Sequence, residues 1–191
     1  MRVLNLLTGG EIGGIERLCH DIGLYGGFEN EFCFMFHGGM IYEQMKREKM
    51  KVYCLEGCGK RISYKKYKRL LDIAEAYDII TVHHGDPFLK LYFWLLHKKL
   101  KKRYVTYVHS CYERAYFYSD HKGRMALAHR MYQMGLDCSD KVIFVSEAGR
   151  KSYLSEFRLD TEKTTVVYNG VGLDKLIKGK DFHLKKSIHI I

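Results

Sequence analysis

The sequence of 191 residues contains a single proline, Pro87, and no segment of low complexity. These absences exclude proline-rich spacers and long disordered linkers, which need compositions that this chain does not have. With 47% hydrophobic residues the chain can bury one good core, but it is too short for two domains of ordinary size. The composition therefore predicts a globular protein built around one core.

Long apolar runs are also lacking. The most apolar stretch, residues 88–96, is interrupted by Lys90 and is too short to cross a bilayer. The amino terminus turns at Gly9-Gly10 after too few apolar residues for a secretion signal. Six cysteines without such a signal favour a reducing compartment, where thiols stay free. The predicted location is therefore the cytoplasm.

Several signatures of nucleotide-binding enzymes and hydrolases are absent. The loop 9–14 is not G-x-G-x-x-G and no acidic residue follows the second predicted strand, which argues against a nicotinamide enzyme. There is no Walker A sequence, and the segment around Ser146 lacks the first glycine of a nucleophile elbow. Cys54 and Cys58 are spaced like half of a zinc site but lack a second pair, so we predict no metal and no cofactor.

Positive charge, by contrast, is in excess: the net charge is +10 and the basic residues form two clusters. Such clusters suit an anionic membrane surface or nucleic acid, and a solvated basic face is the simpler alternative. No helix-turn-helix, zinc-finger or RNA-binding signature accompanies them, so we predict no nucleic-acid partner. The first cluster is Lys60, Arg61, Lys65, Lys66, Lys68 and Arg69, and the second is Lys98, Lys99, Lys101, Lys102 and Arg103.

Apolar strands alternate with helical segments along the chain. Continuous apolar runs indicate strands covered on both faces, and hence a mostly parallel sheet between two layers of helices. We therefore predict an α/β fold, a Rossmann-like doubly wound sheet of about seven strands. The predicted strands are residues 2–7, 31–36, 51–55, 78–83, 103–109, 141–145 and 164–168.

The end of the chain predicts a domain boundary. Residues 1–176 contain the predicted sheet, and the polar stretch 178–186 then leads to a strand-like segment, 187–191. We interpret 177–191 as a linker and the first strand of a carboxyl-terminal domain that this sequence does not contain. The alternative is an edge strand that completes the same sheet.

Ligands of such folds bind at the carboxyl ends of the strands. There, Gly13 and Gly14 open the first helix, where backbone N–H groups can bind phosphate or a sugar hydroxyl. His83, His84 and His109 follow two strands that we predict to be central, and histidine there can donate a hydrogen bond or carry a proton. A structural role is the alternative for each of them. His109 is the first choice for a functional group.

Five segments, in order along the chain, resemble motifs of the retaining family 4 (group 1) glycosyltransferases. They are the glycine-rich helix entry 13–17, the strands that end at His83-His84 and at His109, the strand before Ser146, and the segment 166–171 with Asn169-Gly170. One departure is Gly172, where the family usually has aspartate. The resemblance covers nearly the whole chain.

The resemblance implies a GT-B architecture, in which two Rossmann-like domains face each other across a cleft. This chain would be the amino-terminal, acceptor-side domain, and the nucleotide-sugar donor would bind the other domain as a substrate. By the same resemblance, Gly13 and Gly14 would lie near the donor diphosphate or the acceptor, and His109 would hydrogen-bond the transferred sugar. Ser146, Asn169 and Gly170, also candidates for substrate binding, are interpreted chiefly as a helix cap and a turn.

The predicted function is acceptor binding in an enzyme that transfers a sugar to a glycan or lipid-linked acceptor during cell-envelope polysaccharide synthesis. With a lipid-linked acceptor, the basic clusters and the apolar segment 88–103 would meet the anionic inner face of the membrane. The alternative for that segment is a helix that covers the sheet. The rival function is a non-catalytic subunit that presents the acceptor to a separate donor-binding chain. Alone, this chain is expected to be inactive.

Overall fold

A computed structural model describes residues 1–83, 85–112 and 122–170 of the chain. Its strands form one sheet in the order β3-β2-β1-β4-β5-β6-β7, and every pair of neighbours is parallel. The predicted seven-stranded Rossmann-like sheet is confirmed, with strand ends within a few residues of those expected. The strands are β1 Arg2–Gly9, β2 Glu29–His37, β3 Val52–Cys54, β4 Ile79–Val82, β5 Arg103–Val108, β6 Lys141–Phe144 and β7 Thr164–Val166.

A helix follows most of the strands. The sequence also predicts a helix over about 114–136. Residues 113–121 lie outside the description, and the helix that the structure describes in this region is α5. A short 3₁₀ turn, Thr161–Lys163, precedes β7 and was not predicted. The helices are α1 Gly14–Tyr25, α2 Met40–Arg47, α3 Tyr64–Ala74, α4 Pro87–Lys99, α5 Lys122–Asp137 and α6 Glu147–Glu156.

Side-chain caps fix where three of these helices begin. Ser63 Oγ accepts the Lys66 N–H (3.0 Å) at the start of α3, and Ser146 Oγ accepts the Gly149 N–H (3.1 Å) at the start of α6. Asp86 caps α4, whose first residue is the only proline. Serine and aspartate are preferred at such positions because their oxygens accept N–H groups that have no partner within the helix.

The sheet is buried on both faces, as the continuous apolar strands predicted. Alternate residues of β2 point to opposite sides: Phe32 and Phe34 pack in the cluster with α1 and α2, whereas Cys33 and Met35 pack in the cluster with α3 and α4. A third cluster joins α5 and α6 to β5 and β6.

Helix α4 belongs to this core, which corrects the expectation that segment 88–103 offers apolar surface to a membrane. Leu89, Phe93 and Leu96 are fully buried against the sheet. The alternative, a helix that covers the sheet, is therefore the observed one. No helix in the described part of the chain is both long and apolar enough to span a bilayer.

The chain changes its direction across the sheet between β1 and β4. Strands β2 and β3 lie on one side of β1, and strands β4 to β7 lie on the other. At such a switch point the loops diverge and leave a crevice at the carboxyl ends of the strands. The loop 9–14 and His83 flank this crevice. The predicted linker and strand at 177–191 lie outside the described residues, as does Gly172.

Candidate active site at the carboxyl edge of the sheet

The loop after β1 is bonded to the loop after β2. The carbonyl oxygen of Gly10 accepts the backbone N–H groups of Ile41 (2.8 Å) and Tyr42 (3.3 Å), in the first turn of α2, and the Gly10 N–H donates to the Gly38 carbonyl (3.3 Å). Gly39 has a φ of +149°, and a Cβ there would lie 2.5 Å from the Gly10 oxygen. Only glycine fits this position, so the two loops form one unit.

Helix α1 begins directly after this unit. Gly13 is its N-cap in extended conformation, and the Glu16 carboxylate lies beside it. Nothing within the described residues comes within 4 Å of the place that a Cβ on Gly14 would take. The amino-terminal end of α1 can therefore be approached from the side of Gly14, and its dipole favours an oxyanion or a hydroxyl there.

His83 follows β4 and is completely buried. Its Nε2 donates to the side-chain oxygen of Asn5 (2.9 Å), which also accepts the Thr81 hydroxyl (2.7 Å). The amide nitrogen of Asn5 donates to the Glu31 carbonyl (3.2 Å), which fixes the orientation of the amide. His83 thus carries its proton on Nε2 and presents Nδ1 as an acceptor. Within the described part of the chain, Nδ1 receives no hydrogen bond.

Three aromatic rings lie nearly parallel at this point. The His83 ring lies 4.6 Å from the Tyr107 ring at 9° and 5.5 Å from the His109 ring at 26°. Burial lowers the pKa of His83 well below its usual value, and the nearby His109 and Lys90 act in the same direction. His83 is therefore neutral, and it supports His109 by packing rather than by charge.

His109 follows β5 and is half-buried. It lines a cavity of about 30 Å³ together with Ile15, Gly85, Lys90 and Ser110. Ile15 belongs to the first turn of α1, so the glycine-rich loop and His109 share one edge of the sheet, as predicted. The cavity has room for about one water molecule.

Lys90 is the unexpected member of this group. Only 3% of its surface is exposed, and its stem packs so closely on α5 that a Cβ at Gly135 would lie 2.8 Å from Lys90 Cδ. Burial lowers the pKa of Lys90 to about 7. The residue therefore brings a titratable amine to the His109 cavity.

A wider groove opens at the same edge beside α2. Its volume is about 320 Å³, and it is lined by Glu11, Gly39, Met40, Glu43 and Arg47. Small-molecule sites begin at roughly this size. The exposed side chain of Met40 offers an apolar surface, and the carboxylates can accept hydrogen bonds from hydroxyl groups.

The remaining predicted residues lie further from this group or outside the description. Ser146 is at the same edge, but its hydroxyl caps α6. Asn169 and Gly170 are exposed after β7, the outermost strand. His84 is outside the described residues. The structure thus brings His83 and His109 into contact, with the first turn of α1 beside them.

Sequence reasoning missed Asn5, Thr81, Tyr107 and Lys90 as members of the site. Two of them had a signal: Asn5 is a polar residue in a buried strand, and Lys90 interrupts the most apolar stretch of the chain. Tyr107 and Thr81 had none, because both residue types are ordinary in strands.

The two basic clusters lie at opposite edges of the sheet. The first begins at the carboxyl edge, where Arg61 is ion-paired with Asp86, whereas the second ends at Arg103, the first residue of β5. One member of the first cluster, Lys66, is buried with its amine 5.1 Å from the Phe36 ring centre. Only the first cluster is therefore close to the candidate site.

No three histidine, cysteine, aspartate or glutamate side chains within residues 1–83, 85–112 and 122–170 are placed to hold a metal ion. The cysteines of these ranges, including Cys54 and Cys58, are free thiols.

The family model described as Glycosyltransferase Family 4 matches residues 29–175, more than half of the sequence. The chain therefore belongs to this glycosyltransferase family, and the resemblance drawn from the five motifs is confirmed. No curated protein matches the sequence.

Solved structures agree on the fold. Anabaena Alr3699/HepE in complex with UDP and glucose superimposes with a TM-score of 0.74 at 17% identity, over 91% of this chain and 46% of that one. Its complex with UDP-glucose gives a TM-score of 0.72 over 45% of that chain. A glycosyltransferase from Rickettsia africae gives 0.64 at 17% identity, over 91% of this chain and 44% of its own. The chain thus spans less than half the length of these proteins, and its fold is one half of a GT-B architecture.

Proposed function

We propose that this chain is the acceptor-side half of an enzyme that transfers a sugar from a nucleotide-sugar donor to a glycan or lipid-linked acceptor. The supporting observation is that, in a family 4 chain, the start of α1 and His109 line one cavity at the switch point of the sheet. The bound UDP and UDP-glucose of Anabaena Alr3699/HepE support a nucleotide-sugar donor.

In this proposal the chain acts by positioning. The amino-terminal end of α1 attracts a phosphate or hydroxyl oxygen beside Gly14, and His109 donates a hydrogen bond to the sugar that is transferred. His83 holds the His109 ring in place through their stacked contact. Orientation of donor and acceptor of this kind can contribute roughly 7–11 kcal/mol to lowering a barrier.

The groove beside α2 is the proposed acceptor site. Glu11 and Glu43 would accept hydrogen bonds from acceptor hydroxyls, and Met40 would pack on an apolar sugar face. We propose nucleotide sugars as the class of donor, and intermediates of cell-envelope polysaccharide synthesis as the class of acceptor.

The test is transfer of labelled sugar from nucleotide-sugar donors, with the chain alone and with a donor-binding domain of the same family joined to it. We expect no transfer by the chain alone and turnover by the completed enzyme. His109→Ala should then lower kcat roughly tenfold to a thousandfold, with a smaller change in acceptor affinity. His97→Ala, an exposed histidine on α4, is the matched control. Normal kcat in His109→Ala would contradict the role of His109.

The rival function is separated by the same assay. A subunit that only presents the acceptor should support transfer when a separate donor-binding chain is added, without a covalent connection. Robust transfer by the chain alone would contradict both proposals.

We also propose that the first basic cluster docks on an anionic membrane at the cytoplasmic face, which would bring a lipid-linked acceptor to the site. Exposed Ile62 and Tyr64 lie among its lysines, so that apolar and cationic contacts coincide. The chain should sediment with anionic vesicles but not with neutral ones, and rising salt should release it. The double substitution Lys65→Glu and Lys68→Glu should abolish this binding. The matched double substitution Lys141→Glu and Lys151→Glu, in β6 and α6 toward the other end of the sheet, should leave it unchanged.

A further inference from the structure

Lys90 departs from the usual behaviour of lysine. Lysines normally bury their stem and keep the amine in water, and fully buried ones are paired with an anion. Lys90 is 3% exposed and lines the His109 cavity. Within the described ranges no carboxylate or hydrogen-bond acceptor contacts its amine, and Cys138 is the one group that favours its charged form.

Among the described residues, the titratable groups that face Lys90 from the neighbouring elements carry no negative charge. Burial raises the pKa of Cys138, at the end of α5, to about 12, so its thiol is neutral. Burial also raises the pKa of Tyr107 on β5 and of Tyr153 on α6. His83 is neutral, and His109, after β5, adds no negative charge.

The acid on the same helix is already engaged. Asp86 Oδ1 accepts the N–H groups of Phe88 (2.9 Å) and Leu89 (3.1 Å), and its other oxygen pairs with Arg61. Lys90, in the first turn of α4, therefore has no free counter-charge on its own helix. An anion entering the cavity would meet a cation that no described group neutralises.

The size of the cavity limits what can enter it. With about 30 Å³ it holds one water-sized group, so a larger ligand can place only a single oxygen atom there. The rest of such a ligand would lie in the crevice outside, next to His109 and Ser110. A neutral hydroxyl would leave the amine without a counter-charge, whereas an oxyanion would supply one.

We propose that Lys90 is an anion-binding residue of this site, and that the cavity beside His109 receives one oxygen of a phosphate group. The phosphate would belong to the nucleotide-sugar diphosphate or to a lipid-phosphate acceptor. The choice of phosphate rests on the proposed function, whereas the presence of an anion site rests on the geometry alone.

The first experiment measures binding of sulfate to the 191-residue chain by calorimetry at constant ionic strength. The charge of sulfate is constant between pH 6 and pH 8, so any pH dependence belongs to the protein. An amine with a pKa of about 7 is mostly neutral at pH 8 and mostly protonated at pH 6. Sulfate should therefore bind about tenfold more tightly at pH 6, and binding at pH 8 should take up about 0.9 proton.

Two lysine variants separate the cavity from the basic surface. Lys90→Met keeps the length of the side chain and should lose the proton uptake together with most of the affinity. Lys99→Met removes one exposed charge from the same helix and should retain both. Thermal unfolding checks that each variant is folded. If Lys90→Met does not fold, the pKa of each lysine in the wild-type chain is measured from its ¹³Cε chemical shift, with and without sulfate. The inference then requires that sulfate raise the pKa of one lysine from near neutrality.

The source of the phosphate is then tested with UDP and with a short-chain isoprenyl phosphate as competitors of sulfate. Competition by UDP assigns the cavity to the donor, and competition by the isoprenyl phosphate assigns it to the acceptor. Sulfate binding without proton uptake, equal binding by Lys90→Met, or no saturable binding would each overturn the inference. None of these results involves sugar transfer, so the proposed function could fail while the anion site stands, or the reverse.

Discussion

The substitution Gly39→Ala tests whether the two loops of the candidate site are locked together. At a φ of +149° an alanine is strained by about 1–3 kcal/mol. Its Cβ would also lie 2.5 Å from the Gly10 oxygen and 2.7 Å from the Glu11 nitrogen. Both are backbone atoms, so no side-chain rotation can relieve the contact.

The loss can be estimated from the hydrogen bonds that would move. The Gly10 oxygen accepts the N–H groups of Ile41 and Tyr42, and each such bond contributes about 0.5–1.5 kcal/mol. Strain and weakened bonds together predict that Gly39→Ala lowers the free energy of unfolding by about 3–4 kcal/mol. For a chain of this size the melting temperature should fall by about 6–16 °C.

Urea denaturation with an unchanged m-value is the measurement. Gly27→Ala is the matched control, because a Cβ there meets no described atom within 4 Å, and it should be neutral or slightly stabilising. Equal stability of the two variants would show that the loops are not locked, and the description of the site as one unit would then be wrong.

Three further predictions concern polar side chains that make hydrogen bonds in the strands or directly after them. Ser146→Ala should lower the free energy of unfolding in urea by about 1 kcal/mol through loss of the α6 cap, and Ser146→Asp should largely retain it. Asn5→Leu should lower it by about 3 kcal/mol, because His83 and Thr81 lose their common acceptor, and a cost below 1 kcal/mol would argue against this network. Burial alone would raise the pKa of Glu31, but hydrogen bonds from neighbouring side chains outweigh it and hold this pKa below its usual value. The wild type should therefore be more stable than Glu31→Gln, with the full difference in the free energy of unfolding present above pH ~4.3. This difference should disappear as the pH falls through the lowered pKa, and urea denaturation across the acid range measures it.

The order of elements and the edge of the sheet at which the candidate residues lie could be predicted because both depend on local signals. Apolar runs define the strands, and Ser146 as a helix cap and Pro87 at a helix start are residue types with a strong preference for those positions. The position of His109 at the carboxyl edge then follows from the direction of the chain in a parallel sheet.

The interior of the site could not be predicted, because its contacts join residues far apart in the sequence. Asn5 and His83 meet only once β1 pairs with β4. The burial of Lys90 depends on Gly135 of α5, which lets the two helices approach closely. The pattern of α4 showed an apolar segment, but neither that this segment covers the sheet nor that a lysine is buried with it.

The two edges of the sheet differ in how completely their polar groups are bonded. At the amino edge, the Glu31 carboxylate is bonded to Arg2, Lys51 and Tyr77, and the Asp140 carboxylate accepts the Tyr104 N–H. Such saturation is what a buried structural network requires.

At the carboxyl edge, by contrast, the Thr8 hydroxyl and His83 Nδ1 are buried and receive no hydrogen bond from the described residues, and Lys90 has no counter-ion there. Each such group costs stability unless something else satisfies it. Because all three lie at the switch point, next to the start of α1 and His109, the simplest physical reason for keeping them is a ligand that completes the set. Burial and hydrogen bonding alone thus indicate the same edge of the sheet as the family motifs do.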